Sequence, residues 1–232
     1  MTDKKKTDKK KLDRSTFFFC LMLFLEDIGI FAGFAGFAGF LALLICLLCL
    51  FLAVRKAARG NATLYRLWTR FSMAVRRVCY RLGIFPRWRA SEIAPGLWLG
   101  SANDAINLRE LRRRRIGRVL TIASGCVPQH PDHLEYLYFD ALDVPHQPLG
   151  HLIRPAIEFI SLGTPQDPVL VHCMAGISRS ASLVIAFLMH KHSWTLSDAL
   201  SFVKAKRPIV HPNPGFLTQL QGFEVEIKQN KE

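Results

Sequence analysis

Cysteine is too sparse in this chain for a disulfide framework. Six occur in 232 residues, at 20, 46, 49, 79, 126 and 173, and the last three form no disulfide framework. Cys46 and Cys49 have C-x-x-C spacing but sit among leucines, where packed apolar residues are expected rather than zinc ligands. A disulfide-stapled fold and a zinc module are therefore not indicated, and a reducing compartment is the default. Acid is also short, with 18 Asp and Glu against 31 Lys and Arg, a formal net charge of +13. The shortage is local. Residues 1–90 carry 17 basic and 5 acidic groups, while residues 91–232 carry 14 and 13. A near-neutral C-terminal part weighs against nucleic acid as the partner of a folded domain.

The N-terminal part divides by composition. Residues 1–16 are Lys-rich with nothing to bury, which predicts disorder. Residues 17–54 are apolar apart from Glu26 and Asp27, and Ile28 to Val54 is 27 residues without a charge. That exceeds the ~20 residues needed to span a bilayer, and Arg55-Lys56 reads as a stop at the interface. A transmembrane helix is the expectation, with no signal-peptide cleavage pattern. Gly29/Gly33, Ala32/Gly36 and Ala35/Gly39 keep small-xxx-small spacing, which suits either a homodimer through that helix or a low-complexity repeat supplying apolarity. Residues 55–90 hold 10 Arg or Lys and no acid. Leu64, Leu67, Trp68, Phe71, Val75, Val78 and Leu82 recur at helical spacing, predicting a basic amphipathic helix on an anionic membrane surface. The stronger positive flank puts the C-terminal domain in the cytosol, a single-pass arrangement.

From Ser91 the pattern changes. Leu97–Leu99, Val119–Ala123 and Leu134–Phe139 read as strands. Helical periodicity covers Ser101 through Arg115 and then about 149–162, 180–192, 196–206 and 215–228. Alternation of this kind predicts an α/β fold, a twisted central sheet flanked by helices, over residues 91–232.

The chemistry concentrates in Val169-Leu170-Val171-His172-Cys173-Met174-Ala175-Gly176-Ile177-Ser178-Arg179-Ser180-Ala181, a strand, a small-residue loop and a helix. Such a loop can turn successive backbone N–H groups inward to hold an anion, with the helix N-terminus aimed at the same point. Gly176 permits the positive φ a tight curl needs. Arg179 can bind two oxygens of a phosphate side by side. The same positive potential lowers the pKa of Cys173 and makes it a thiolate nucleophile. Cys173 through Arg179, including Met174, Ala175, Ile177 and Ser178, thus forms the candidate phosphate-binding loop.

This stretch resembles the signature of the cysteine-based protein tyrosine phosphatases, and its Ala-Gly-Ile-Ser-Arg-Ser-Ala version is similar to the dual-specificity branch. Ser91-Glu92-Ile93-x-Pro95-x-Leu97-x-Leu99-Gly100 resembles that branch's opening strand pair. Arg207-Pro208-x-Val210-x-Pro212-Asn213-x-Gly215-Phe216 resembles the segment before its last helix. The small atypical dual-specificity phosphatases look most similar, and the first 90 residues lie outside the likeness. The resemblance implies a dual-specificity protein phosphatase working through a phosphocysteine, without metal or cofactor. It implies a general acid about 30 residues before the cysteine. Asp143 stands there, ahead of Pro145-His146, with Asp140 as the alternative. It also implies that Ser180 donates to the departing thiolate, that His172 shapes the loop, and that Asn213 supports the site, where Asn213-Pro214 also reads as a helix cap.

A phosphorylated protein is the expected substrate, because the loop has no Lys beside Arg179 of the kind that polyphosphorylated inositol lipids call for. A phosphoinositide phosphatase and a non-catalytic phosphoprotein-binding module are the alternatives. Cys126 raises a further option, a disulfide with Cys173 under peroxide.

Overall fold

The computed structural model describes residues 61–81 and 88–229. The first element, α1 (Ala62–Arg81), begins where the side chain of Asn61 accepts from Thr63 N and Leu64 N at 2.9 and 3.2 Å. That satisfies two of the amides every helix leaves open at its start. Strands β1 (Ser91–Ala94) and β2 (Leu97–Gly100) follow, then α2 (Ala102–Ile106), α3 (Leu108–Arg113), β3 (Arg118–Ile122) and β4 (Glu135–Phe139). The remainder alternates as α4 (Gly150–Ser161), β5 (Val169–His172), α5 (Arg179–His192), α6 (Leu196–Lys206) and α7 (Pro214–Gln229).

The five strands run β1-β2-β5-β3-β4. Only β1–β2 is antiparallel; the other three pairings are parallel. This is the expected α/β sheet flanked by helices. Period-2 alternation sorts its side chains. Val169 and Val171 of β5 join Leu97, Leu99, Leu120 and Ile122 in the larger core under α4–α7. Leu170 points the other way, to Val119, Ala105 and Leu111. β5 lies mid-sheet, so its C-terminal end opens inside the molecule rather than at an edge, where strand ends of parallel sheets place ligands. Helix α5 is buried from Arg179 through Met189, serines included, as befits a helix packed on all sides.

One local expectation changes. The helix predicted from Ser101 through Arg115 is two helices, broken at Asn107 (φ −84°, ψ 76°), whose side chain accepts from Glu110 N and caps the second. An Asn can leave helical geometry and satisfy a new start at once, which periodicity alone does not register.

The membrane reading is corrected. No helix among the described residues is long and apolar enough to cross a membrane, and the segment 17–54 lies outside the described residues, as does 1–16. The anchor, the single-pass cytosol-facing placement and the homodimer through a transmembrane helix are therefore withdrawn. The anionic membrane surface goes with them, because α1 is seated on protein. Its inward face is Thr69, Ser72 and Met73, all buried, with Met73 packed among Ala102, Ala123 and Cys126. Two of its arginines are engaged by the domain: Arg66 Nε donates to Ser124 Oγ at 3.2 Å, and its Nη2 pairs with Asp140 at 3.0 Å. Arg77 donates to Gln129 at 3.1 Å. Leu64, Leu67, Phe71 and Val78 of the stripe expected to face a membrane are exposed and take no part in that seat.

Candidate active site

The loop from Cys173 to Ser178 joins β5 to α5, and its carbonyls are all held from outside. Met174 O accepts from Ala102 N at 3.3 Å, Ile177 O from His211 N at 2.9 Å, and Ser178 O from Ser182 N at 2.9 Å. Arg207, itself buried, donates Nε to Gly176 O at 2.9 Å and Nη2 to Ala175 O at 3.4 Å. All described peptide bonds are trans, so each carbonyl points opposite the N–H that follows it. Four outward carbonyls, from Met174 to Ile177, therefore turn the amides of Ala175 through Ser178 inward, which is an anion nest. Gly176 has φ +69°, as its position required. A Cβ there would run into Gly100 O and stand 2.8 Å from Arg207 Nη2.

Cys173 sits at the base of this cup, 1% exposed. Its Sγ accepts from Gly176 N and from Ser180 Oγ, both at 3.2 Å. Burial by itself pushes a thiol up. The Arg179 charge and the Ser180 hydrogen bonds outweigh it and hold Cys173 below the usual thiol range. Arg179 is buried too. Its Nη1 donates to Ala141 O at 3.0 Å and its Nη2 to Tyr65 Oη at 3.4 Å. Its Nε makes no hydrogen bond among the described residues and stands 3.6 Å from Asp143 Oδ2. A buried N–H without an acceptor is costly, and an arriving oxyanion would relieve it.

The sheet register explains His172. Thr121 lies opposite it in the parallel β3–β5 pairing, so the two share a face and Thr121 Oγ1 meets Nε2 at 2.7 Å. Nδ1 lies 3.1 Å from Cys173 O. Full burial lowers the ring to about 4, so it is neutral at ordinary pH. A carbonyl only accepts, hence Nδ1–H donates to it and Nε2 accepts from Thr121. His172 thereby ties the start of the loop to β3.

Of the two aspartates, Asp143 is at the cup. Its Oδ1 accepts from Ser178 Oγ at 2.8 Å and from Asn213 Nδ2 at 3.0 Å, while Ser178 Oγ accepts from Asn213 N at 3.1 Å. The loop carrying it rests on α7, where a Cβ on Gly215 would collide with Pro145 O. Asp140 points elsewhere, into its pair with Arg66. Cys126 is fully buried with Met73 and Met174, and burial pushes its thiol up to about 12. That makes it a poor partner for attack on an oxidised Cys173.

The family of the dual specificity phosphatase catalytic domain matches residues 97–226, more than half of the chain. The chain belongs to this family. A dual specificity protein phosphatase 1 of Arabidopsis thaliana is 42% identical over 139 residues, covering 60% of this chain and 70% of that protein. Among solved structures, human tyrosine phosphatase-like serine/threonine/tyrosine-interacting protein is 32% identical with a TM-score of 0.56, covering 60% of this chain and 98% of that one. Human DUSP28 is 28% identical with a TM-score of 0.56, covering 60% and 99%. The catalytic domain is related to the small atypical dual-specificity phosphatases. It makes this chain a dual-specificity protein phosphatase.

The structure brings Cys173, Arg179, Asp143, Ser180, Ser178 and Asn213 of this phosphatase together, with His172 behind them. Three neighbours of the cup were not singled out by the sequence. Arg207 stands in the motif before the last helix, yet nothing in the sequence says that its guanidinium reaches the Gly176 carbonyl 31 residues away. Thr121 follows only from strand register. Tyr65 comes from α1, outside the matched domain, and no pattern points to it.

Proposed function

We propose that this phosphatase hydrolyses phosphotyrosine and phosphoserine/threonine in proteins, with residues 91–232 as its catalytic domain and Cys173 as the nucleophile. The observation that carries the reading is the Cys173 thiol, which accepts two hydrogen bonds in a cup of inward amides beside Arg179. The thiolate attacks phosphorus while Arg179 and the loop amides bind the non-bridging oxygens. Asp143 gives its proton to the leaving oxygen as the P–O bond breaks. Because Oδ1 already accepts from Ser178 and Asn213, the proton belongs on Oδ2, which accepts no hydrogen bond among the described residues and stands 3.6 Å from Arg179 Nε. In the second step water attacks the phosphocysteine and passes a proton to Asp143. The P–S bond breaks, and Ser180 Oγ–H donates to the departing thiolate.

The test uses the full chain on phosphotyrosine and phosphoserine peptides and on short-chain phosphoinositides. Turnover of the peptides, its abolition in Cys173→Ser, and retained tungstate binding by that variant are expected. Preference for the lipids would replace the protein substrate with a lipid one. Wild-type binding without turnover would leave only a phosphoprotein-binding module.

A further inference from the structure

Two polar hydrogens at the Arg179 fork, one its own and one of a neighbour, have no acceptor among the described residues. One is Nε–H, buried and without a hydrogen-bond partner. The other belongs to Tyr65. Its phenolic oxygen accepts from Arg179 Nη2 at 3.4 Å, so its own hydrogen is directed away from the guanidinium. That hydrogen reaches no acceptor among the described residues. Two idle donors therefore flank the group that binds phosphate, and a dianion is the ligand that would satisfy both.

We propose that Tyr65 is a substrate-binding residue, its O–H donating to a non-bridging phosphate oxygen held by Arg179. The helix α1, which precedes the matched domain, thus completes the phosphate site. The ring is fixed where this requires. Thr69, Ser72 and Met73 are buried beneath α1, Arg66 is bonded to Ser124 and Asp140, and Arg77 to Gln129. Ala141 O fixes the other end of the same guanidinium. Tyr65 and Ala141 hold the fork between them, leaving Nε to the phosphate. The tilted contact of Tyr65 with Trp68, ring centroids 6.0 Å apart, limits its swing.

This inference rests on Cys173–Arg179 being the phosphate loop, and the experiment separates the two. Full-length wild type and Tyr65→Phe are compared in four readouts: KM and kcat on a phosphotyrosine peptide, Kd for tungstate, and the pH profile of Cys173 alkylation. Losing one hydrogen bond to a charged group should raise KM and the tungstate Kd together by about tenfold. Binding lost equally in ground and transition states leaves kcat within about twofold, and the alkylation profile should not move. Unchanged or tighter KM and Kd would overturn the proposal, the tighter case meaning that the phenol occupies the phosphate's place. A shifted alkylation profile would also overturn it, since Tyr65 would then act on the loop's structure. Failure of the wild type to bind tungstate would sink the phosphate-loop reading itself.

Discussion

Replacing Asp143 with Asn keeps the acceptor that Ser178 and Asn213 use and removes only the proton-carrying oxygen. Both hydrogen bonds to Oδ1 can survive, so the cup should hold and the loss should be chemical. Proton donation by a placed acid is worth about a hundred- to ten-thousand-fold, or about 3–5 kcal/mol of barrier. A phenol with pKa of about 10 needs that proton to leave, so phenyl phosphate should show the full loss in kcat. An activated nitrophenyl ester leaves more readily unprotonated and should lose far less. Asp140→Asn removes a pair with Arg66 that is about half exposed on either side, and such pairs contribute about 0–1 kcal/mol. Its rates should stay within about fivefold on both substrates. Steady-state kinetics of the two variants on the two esters gives the answer. Equal fractional losses on both esters in Asp143→Asn, or a leaving-group-dependent loss in Asp140→Asn, would refute the assignment of the acid.

Ser180→Ala removes one of two hydrogen bonds to Sγ, so the Cys173 pKa should rise and the acid limb of alkylation against pH should move to higher pH. The same variant should accumulate phosphocysteine in rapid-quench experiments, and an unmoved limb would count against the Ser180 contact. Gly215→Ala should push the Asp143 loop off α7 through Pro145, lowering kcat about tenfold or more while thiol alkylation is unaffected. His172, lowered to about 4 in the fold, resists a proton the unfolded chain takes at about 6.5. Stability should therefore fall as pH drops between those values, by up to about 3 kcal/mol. Urea unfolding at several pH values should show that component vanish in His172→Asn, and a wild-type–variant difference independent of pH would refute it.

Much of the site was legible because it is local. Cys173 and Arg179 lie on one continuous strand–loop–helix, and chain connectivity alone brings them together. Period-2 and period-3.6 spacing likewise locates the sheet and helices, since those patterns arise from which side chains share a face. What spacing does not carry is the partner a face meets. An amphipathic basic helix reads the same whether it will meet lipid or protein, so the spacing of α1 alone points to a membrane surface. Its actual seat, the small residues Thr69 and Ser72 with Met73, has no apolar signature.

The amino-acid sequence by itself carried the family, and with it the proposed nucleophile Cys173 and its arginine Arg179, because the motif lies in one continuous stretch of chain. Tertiary structure separates the surroundings of Asp143, which the sequence already favoured, from those of Asp140. Ser178 and Asn213 reach the first, from 35 and 70 residues away, and Arg66 takes the second. Tertiary structure also placed Arg207 behind the loop and Tyr65 beside Arg179, 114 residues apart. Such convergence follows from sheet register and helix packing, which add up over the whole fold and are not written in the spacing of either partner.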